Sequence, residues 1–406
     1  MSYRLFEVFG IELEYMLVNS NTFKVNPIVD KLLTKKNGKL TSDVSNGEIE
    51  WSNELVAHVL ELKTNGPTAD LDNLSEKFSE NIREINLLLK EFDSELLPTA
   101  AHPLMNPGTE TQLWQHNYSK IYALYNRIFD CRGHGWSNVQ SMHINLPFFD
   151  DTEFEKLHAA VRLLLPIIPA LSASSPIFDG KSTGFLDSRM EVYKTNQKEI
   201  PEMAGKIIPE QVFSRDEYFE KIFMPINKAI KPHDTEHILD HHFLNSRGAI
   251  ARFDRNAIEI RVIDIQECPK ADVAVAVLII EVLKLLVSEE LIALEDQKKW
   301  HEEDLLQIFN GVIRDAENCQ ISNAAYLDVF DLQENATAAE LWKKLFRRVE
   351  SRISVKHKEN IEFILENGSL STRILKSLRQ DFSEENIEKT YRNLAFCLAE
   401  NKFFKP

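Results

Sequence analysis

Residues 9–15 read Phe9-Gly-Ile-Glu-Leu-Glu-Tyr15, the most informative stretch of the chain. Side chains two apart on a strand share a face, so Glu12 and Glu14 stand side by side while Ile11, Leu13 and Tyr15 point the other way, into a core. Two carboxylates on one rigid face repel each other unless water or a cation separates them, and hard divalent cations such as Mg²⁺ take oxygen ligands of this kind. An isolated Glu-x-Glu is more often a solvent-facing edge, so its meaning depends on what the neighbouring strands bring.

The surrounding stretch 5–18 is rich in aromatic and β-branched residues, which predicts a first strand. A polar segment follows to about residue 48, and a second strand is expected over 54–64, stopped by Gly66-Pro67. It adds Glu54 and Glu61, seven apart and therefore on opposite faces of a regular strand; a bulge or break near Ala57 would bring both to one site. A third strand over 139–146 puts Ser141, His143 and Asn145 on one face and Met142, Ile144 and Leu146 on the other. Strands over 249–253 and 257–265, joined through Asp254, Arg255 and Asn256, form a hairpin. Its second member sets Glu259 and Arg261 opposite Ile258, Ile260 and Val262.

Each of these features is ordinary alone: a single strand histidine is usually structural, and a Glu/Arg neighbour pair is usually a surface ion pair. Four strands that each present acid, imidazole or guanidinium opposite an apolar face point together to a polar site on one side of an antiparallel sheet. That pattern suits a metal–nucleotide funnel.

Leu71, Leu74, Phe78, Ile82, Ile85 and Leu89 recur at helical spacing, which predicts an amphipathic helix over 68–92 with Thr68 as its cap. A short strand is expected over 96–101, a helix over 150–171, and a long loop bearing Ser, Gly and Pro over 172–210, of the kind that binds something. From Asp272 onward the pattern is helical almost to the end, and no repeat or flexible linker interrupts the chain. The expectation is an α+β fold: a catalytic unit over 1–270 with a helical C-terminal portion, 271–406, packed on the same domain. Apolar stripes on those helices serve either as intramolecular core, the favoured reading, or as a homo-oligomer interface.

Hydrophobic residues make up 43% of the chain, enough for a sizeable core. The net charge of −16, with no dense cluster of Lys and Arg, argues against nucleic acid as a partner. Cys131, Cys268, Cys319 and Cys397 are scattered without C-x-x-C spacing, which fits a reducing cytoplasm rather than a zinc cage or a disulfide framework. Neither a targeting segment nor a membrane span is read: Glu281 and Lys284 interrupt the most apolar run, 274–287.

Several familiar motifs fail. Gly180-Lys181-Ser182 resembles the tail of a P-loop, but Ser175 stands where the first glycine belongs. His237 and His241 have zincin spacing, yet Ile238 occupies the place of the catalytic glutamate. With no G-x-S-x-G elbow either, the chemistry expected is metal-assisted, without a covalent protein intermediate.

The ordered set of motifs resembles the glutamate-cysteine ligase type 2 family, also described as carboxylate-amine ligases. The matching pieces are Phe9 to Tyr15, Glu54 to Thr64, Ala101-His-Pro103, Gln140 to Ile144, Ala170 to Pro176 with Asp179-Gly180 and Thr183-Gly184, and Ala257 to Asp264. The resemblance implies a glutamine synthetase-like fold, a curved antiparallel sheet with flanking helices whose concave face holds ATP and two or three Mg²⁺ or Mn²⁺ ions. Carried over by position, it implies Glu12, Glu14, Glu54, Glu61, His143 and Glu259 as metal ligands. Arg261, beside Glu259, would meet phosphate or a substrate carboxylate, and Arg189 is a further phosphate candidate. Arg247 and Arg252 compete for the family's upstream substrate arginine. The implied reaction transfers the ATP γ-phosphoryl group to a carboxylate, that of glutamate, after which an amine such as cysteine attacks the acyl phosphate. Guanidino kinases resemble the same fold, so phosphoryl transfer to a guanidine is the alternative enzyme reading, and a metal or nucleotide sensor is the non-catalytic one.

Overall fold

A computed structural model of the chain describes residues 3–333 and 335–406. Strand β1 (Gly10–Asn19) is the organising element, because it pairs on both sides. One side carries β4 (Val59–Thr64), followed outward by β3 (Ile49–Asn53) and β2 (Asp43–Asn46). The other side carries β6 (Ser141–Pro147) along its first half and β5 (Ser94–Leu97) along its second. Beyond β6 come β10 (Ala257–Asp264) and β9 (Ala249–Arg252), and every pair in this sheet is antiparallel.

The alternation read at residues 9–15 holds: Ile11, Leu13 and Tyr15 are fully buried, with Trp51, Leu62, Met142, Ile144, Ile258 and Ile260 beside them. Burying each such aliphatic side chain contributes roughly 1.5–3 kcal/mol, which fixes which face of the sheet is core. Helices Leu74–Leu89, Asp151–Leu164 and Pro269–Val287 pack behind that face. The last of them is buried on nearly all sides, so its sequence is apolar without a polar stripe. A second apolar cluster seats helices Leu370–Leu378 and Glu384–Glu400 against Met16, Val18 and Leu97. Arg373 and Glu267 form a fully buried ion pair at that junction, and Arg373 also donates to the Phe404 carbonyl at 3.0 Å.

Several local expectations are corrected. Strand β1 starts at Gly10, because residues 5–7 form a turn with Phe6 at φ 59°. The polar stretch before residue 48 opens the β2–β3 hairpin, whose two-residue turn is Gly47-Glu48, with Gly47 at φ 66°. The strand expected over 54–64 breaks at residues 55–58, where Val56 bridges to Leu113 instead of joining the sheet. Thr68 does not cap a helix: it bridges to Phe9, and the helix begins at Leu74. The 172–210 segment is ordered by the hairpin β7 (Ile177–Phe178) to β8 (Lys181–Ser182) and by helix Ser188–Tyr193, which Asp187 caps. Asp179 and Gly180 are the left-handed corner of that hairpin, a turn rather than a phosphate cradle. Among the described residues no helix is long and apolar enough to cross a membrane.

Candidate active site

Cross-strand partners share a face of the sheet, and the register lays the polar face out in rungs. Glu50, Lys63, Glu12 and His143 form one rung across β3, β4, β1 and β6. Ser52, Glu61 and Glu14 form the next, and Ser141 closes it by donating its N–H (2.6 Å) and hydroxyl (2.9 Å) to Glu14. On the other side of the first rung lie Gly10, Asn145 and Glu259. Gly10 leaves room for this: a Cβ there would lie 3.0 Å from that of Asn145, whose amide donates to Glu12 Oε1 at 2.9 Å.

Together these rungs floor a cavity of about 1170 Å³. The six carboxylate and imidazole candidates, Glu12, Glu14, Glu54, Glu61, His143 and Glu259, all line it. The break at residues 55–58 reconciles the seven-residue spacing: Glu54 leaves the end of β3, Glu61 stands on β4, and both reach one space. His143 Nδ1 lies 2.9 Å from Glu12 Oε2 and 3.8 Å from Glu259 Oε1, and ligand atoms of these three residues lie within 4.8 Å of one another. Arg261 Nε stands 3.2 Å from Glu259 Oε1. Tyr122, Tyr125, Trp136 and Phe243 form an aromatic side wall, with ring centroids of Tyr125 and Phe243 5.5 Å apart.

The electrostatics divide this space. Burial pushes the Glu54 carboxyl well above the usual range, and the charges of Glu61 and Glu14 push it further. Burial and the Glu12 charge raise Glu61 to about 7, despite Lys63 Nζ at 2.7 Å and the Ser52 hydroxyl at 2.6 Å. Burial also opposes ionisation of Glu12, but the His143 hydrogen bond and the charges of His143, Lys63 and Arg261 bring it down to about 2. His143 is raised in turn: burial works against its charge, and the Glu12 bond and the Glu14 charge overcome that. The charge of Glu61 raises Glu54 and that of Glu12 raises Glu61, and converging carboxylate oxygens are the ligands a hard divalent cation takes, so these carboxylates fit such an ion.

The arginine candidates separate. Arg261 and Arg252 line the cavity near Glu259, although Arg252 also makes two bonds to Asp254, at 3.0 and 2.9 Å. Arg189 reaches the wall but spends its Nε on Asp264 at 2.5 Å and its Nη2 on the Arg261 carbonyl at 3.2 Å. Arg247 is not brought to the site: its guanidinium is buried against Glu210, at 2.5 and 2.6 Å, and against the Asn245 side chain. Sequence reading passed over Lys63, which shares a strand face with Glu61 two residues away, and over the aromatic wall, which comes from three separate helices, Ser119–Phe129, His134–Ser137 and His241–Leu244. Asp240, His241 and His242 also cluster, but Asp240 is a helix cap that accepts the His242 N–H and Nδ1 at 2.8 and 2.9 Å, which accounts for the grouping.

Residues 8–393 match the sequence pattern of Glutamate-cysteine ligase family 2 (GCS2). An uncharacterized protein of Archaeoglobus fulgidus is 30% identical over 387 residues, 95% of this chain and 97% of that one. The glutamate–cysteine ligase of Francisella tularensis, solved in complex with AMP, superposes with a TM-score of 0.61 over 97% of this chain and 88% of its own, at 13% identity. A bifunctional glutathione synthetase from Pasteurella multocida gives a TM-score of 0.63 at 12% identity over 98% of this chain, which spans 53% of that larger one. At these identities the two structural likenesses speak to the α+β fold alone. With the family pattern matched from residue 8 to residue 393, across every strand that floors the cavity, this chain belongs to glutamate-cysteine ligase family 2, a family of ATP-dependent carboxylate–amine ligases.

Proposed function

We propose that this protein joins the side-chain carboxylate of glutamate to an amine, with cysteine the leading amine, and consumes ATP through an acyl phosphate. The observation that carries the reading is the convergence of Glu12, His143 and Glu259 within 4.8 Å beside Arg261. Glu12, Glu14, Glu54, Glu61, His143 and Glu259 would hold two or three Mg²⁺ or Mn²⁺ ions. Neutralisation of the triphosphate charge is the chemistry such ions supply when bound. Arg261 offers a fixed positive charge to the oxygen on which negative charge develops, and Arg252 adds a second cation at the same end. The aromatic wall excludes water from that end, where an activated carbonyl would otherwise hydrolyse. Every residue lining the cavity precedes residue 262, in keeping with a catalytic unit over 1–270 braced by the helices of 271–406.

The test is to incubate the protein with ATP, Mg²⁺, glutamate and a panel of amines led by cysteine, recording phosphate release and product mass together. An amide that needs both partners, and is lost in Glu12→Gln, is the expected result. ADP with a phosphorylated guanidine and no amide would move the reading to a guanidino-kinase-like phosphotransferase. Tight Mg-ATP binding with no product would move it to a non-catalytic relative.

A further inference from the structure

Strand β10 carries one residue too many where it meets β6. Ile260 pairs with Ile144, yet Ile263 pairs with Met142, so Arg261 and Val262 together oppose His143. This β-bulge shifts the face parity of everything after it. Asp264 would otherwise fall with Ile258 and Ile260 on the core face; it is instead the partner of Ser141, on the side of the sheet that carries the cavity.

There Asp264 meets Arg189. Both are buried, at 0% and 3% exposure, and Asp264 accepts Arg189 Nε at 2.5 Å, the Ser174 N–H at 2.8 Å and the Ser175 hydroxyl at 2.9 Å. Ser175 Oγ accepts the Arg189 N–H at 3.0 Å, which closes the ring. Burial and the nearby Asp264 carboxylate hold the neighbouring Asp187 carboxyl well above the usual range.

The far end of Arg189 completes a bond that the sheet leaves open. Arg261 donates its N–H to the Gly248 carbonyl at 2.8 Å, but Gly248 gives its own N–H to Ile207, also at 2.8 Å, so the return bond of the ladder is missing. Arg189 Nη2 supplies it, donating to the Arg261 carbonyl at 3.2 Å.

We propose that Arg189, locked by Asp264, is a positioning residue: it fixes the bulge at Arg261 and so aims that guanidinium into the cavity, and it does not itself grip phosphate. The inference rests on the reading of Arg261 as the group that meets the developing charge. Misplacement by about 1 Å can cost on the order of a hundredfold in rate, which sets the scale of the effect.

The test is a double-mutant cycle on amide formation with Arg189→Met, Arg261→Met and both together, with Mg-ATP affinity measured by calorimetry. Arg189→Met is expected to lower kcat roughly 10- to 100-fold while changing the Mg-ATP Kd less than about threefold, and the double variant is expected to be no worse than Arg261→Met alone. Multiplying losses, or a defect confined to Mg-ATP affinity, would overturn the inference and make Arg189 a phosphate contact. Should Arg189→Met not fold, because Asp264 is left unpaired, Ser175→Ala replaces it in the cycle and is expected to give a smaller loss with the same non-additivity. If the wild-type protein forms no amide, the ligase reading fails alone. The inference is then judged by crystal structures of the wild type and Ser175→Ala, in which a displaced Arg261 guanidinium supports it and an unmoved one overturns it.

Discussion

His143 and Glu12 face each other across the β1–β6 ladder with Nδ1 and Oε2 2.9 Å apart, and both belong to the ligand set proposed above. The Glu12 carboxyl, held at about 2, is an acceptor only, which makes Nδ1–H the donor. On the proposed ligand assignment, a metal ion and this proton would compete for the same atoms. His143 is raised above its ordinary value, and its ligating form is the neutral one. Mn²⁺ affinity is expected to tighten as pH rises from about 6 to about 8, with proton release on binding. Calorimetry in buffers of different ionisation enthalpy reads both, and an affinity flat over that range would contradict the competition.

Glu61 carries a stability cost for the sake of the site. Its folded-state pKa is raised from 4.5 to about 7, so the folded protein holds this proton more tightly than the unfolded chain. The stability it lends is full below about 4.5 and is lost as pH rises through about 7. Glu61→Gln is expected to stabilise the metal-free protein at pH ~8 by on the order of 1–3 kcal/mol while weakening divalent-ion binding. Thermal melts at two pH values, with and without Mn²⁺, check the sign; a Gln variant no more stable than wild type at high pH would refute it.

Gly248 sits where the bulge needs close approach. A Cβ at this position would lie 2.6 Å from Val262 Cγ1 and 3.2 Å from the Ile207 carbonyl oxygen. Gly248→Ala is expected to cost about 1–3 kcal/mol and to lower turnover by displacing Arg261. Denaturant unfolding and steady-state kinetics measure the two effects; full activity in the Ala variant would show that the bulge tolerates the added carbon.

The buried pair Arg373–Glu267 fastens the C-terminal helices to the end of the sheet. Arg373→Met leaves the Glu267 charge without a partner and is expected to destabilise by about 3–5 kcal/mol. The double replacement Arg373→Met with Glu267→Met is expected to recover much of that loss, because the cost lies in the orphaned charge. Urea titration of the two variants decides it.

Face assignment was legible in the residues wherever the rule was local. Alternation over 9–15, 141–146 and 257–262 assigned Glu12, Glu14, His143, Glu259 and Arg261 to one side of an antiparallel sheet, because side-chain direction on a strand depends only on parity. The tertiary structure decided everything that depends on distant neighbours. Glu54 and Glu61 meet because residues 55–58 leave the sheet to bridge Leu113, and Asp264 changes face because β10 slips by one residue against β6. Arg247 was assigned away from the cavity by Glu210, 37 residues off in sequence, and Arg189 was drawn under Arg261 by Asp264, 75 residues off. An arginine reads the same in either setting until the chain folds and a particular carboxylate claims it: ion pairing is set by proximity in space, which no local spacing encodes.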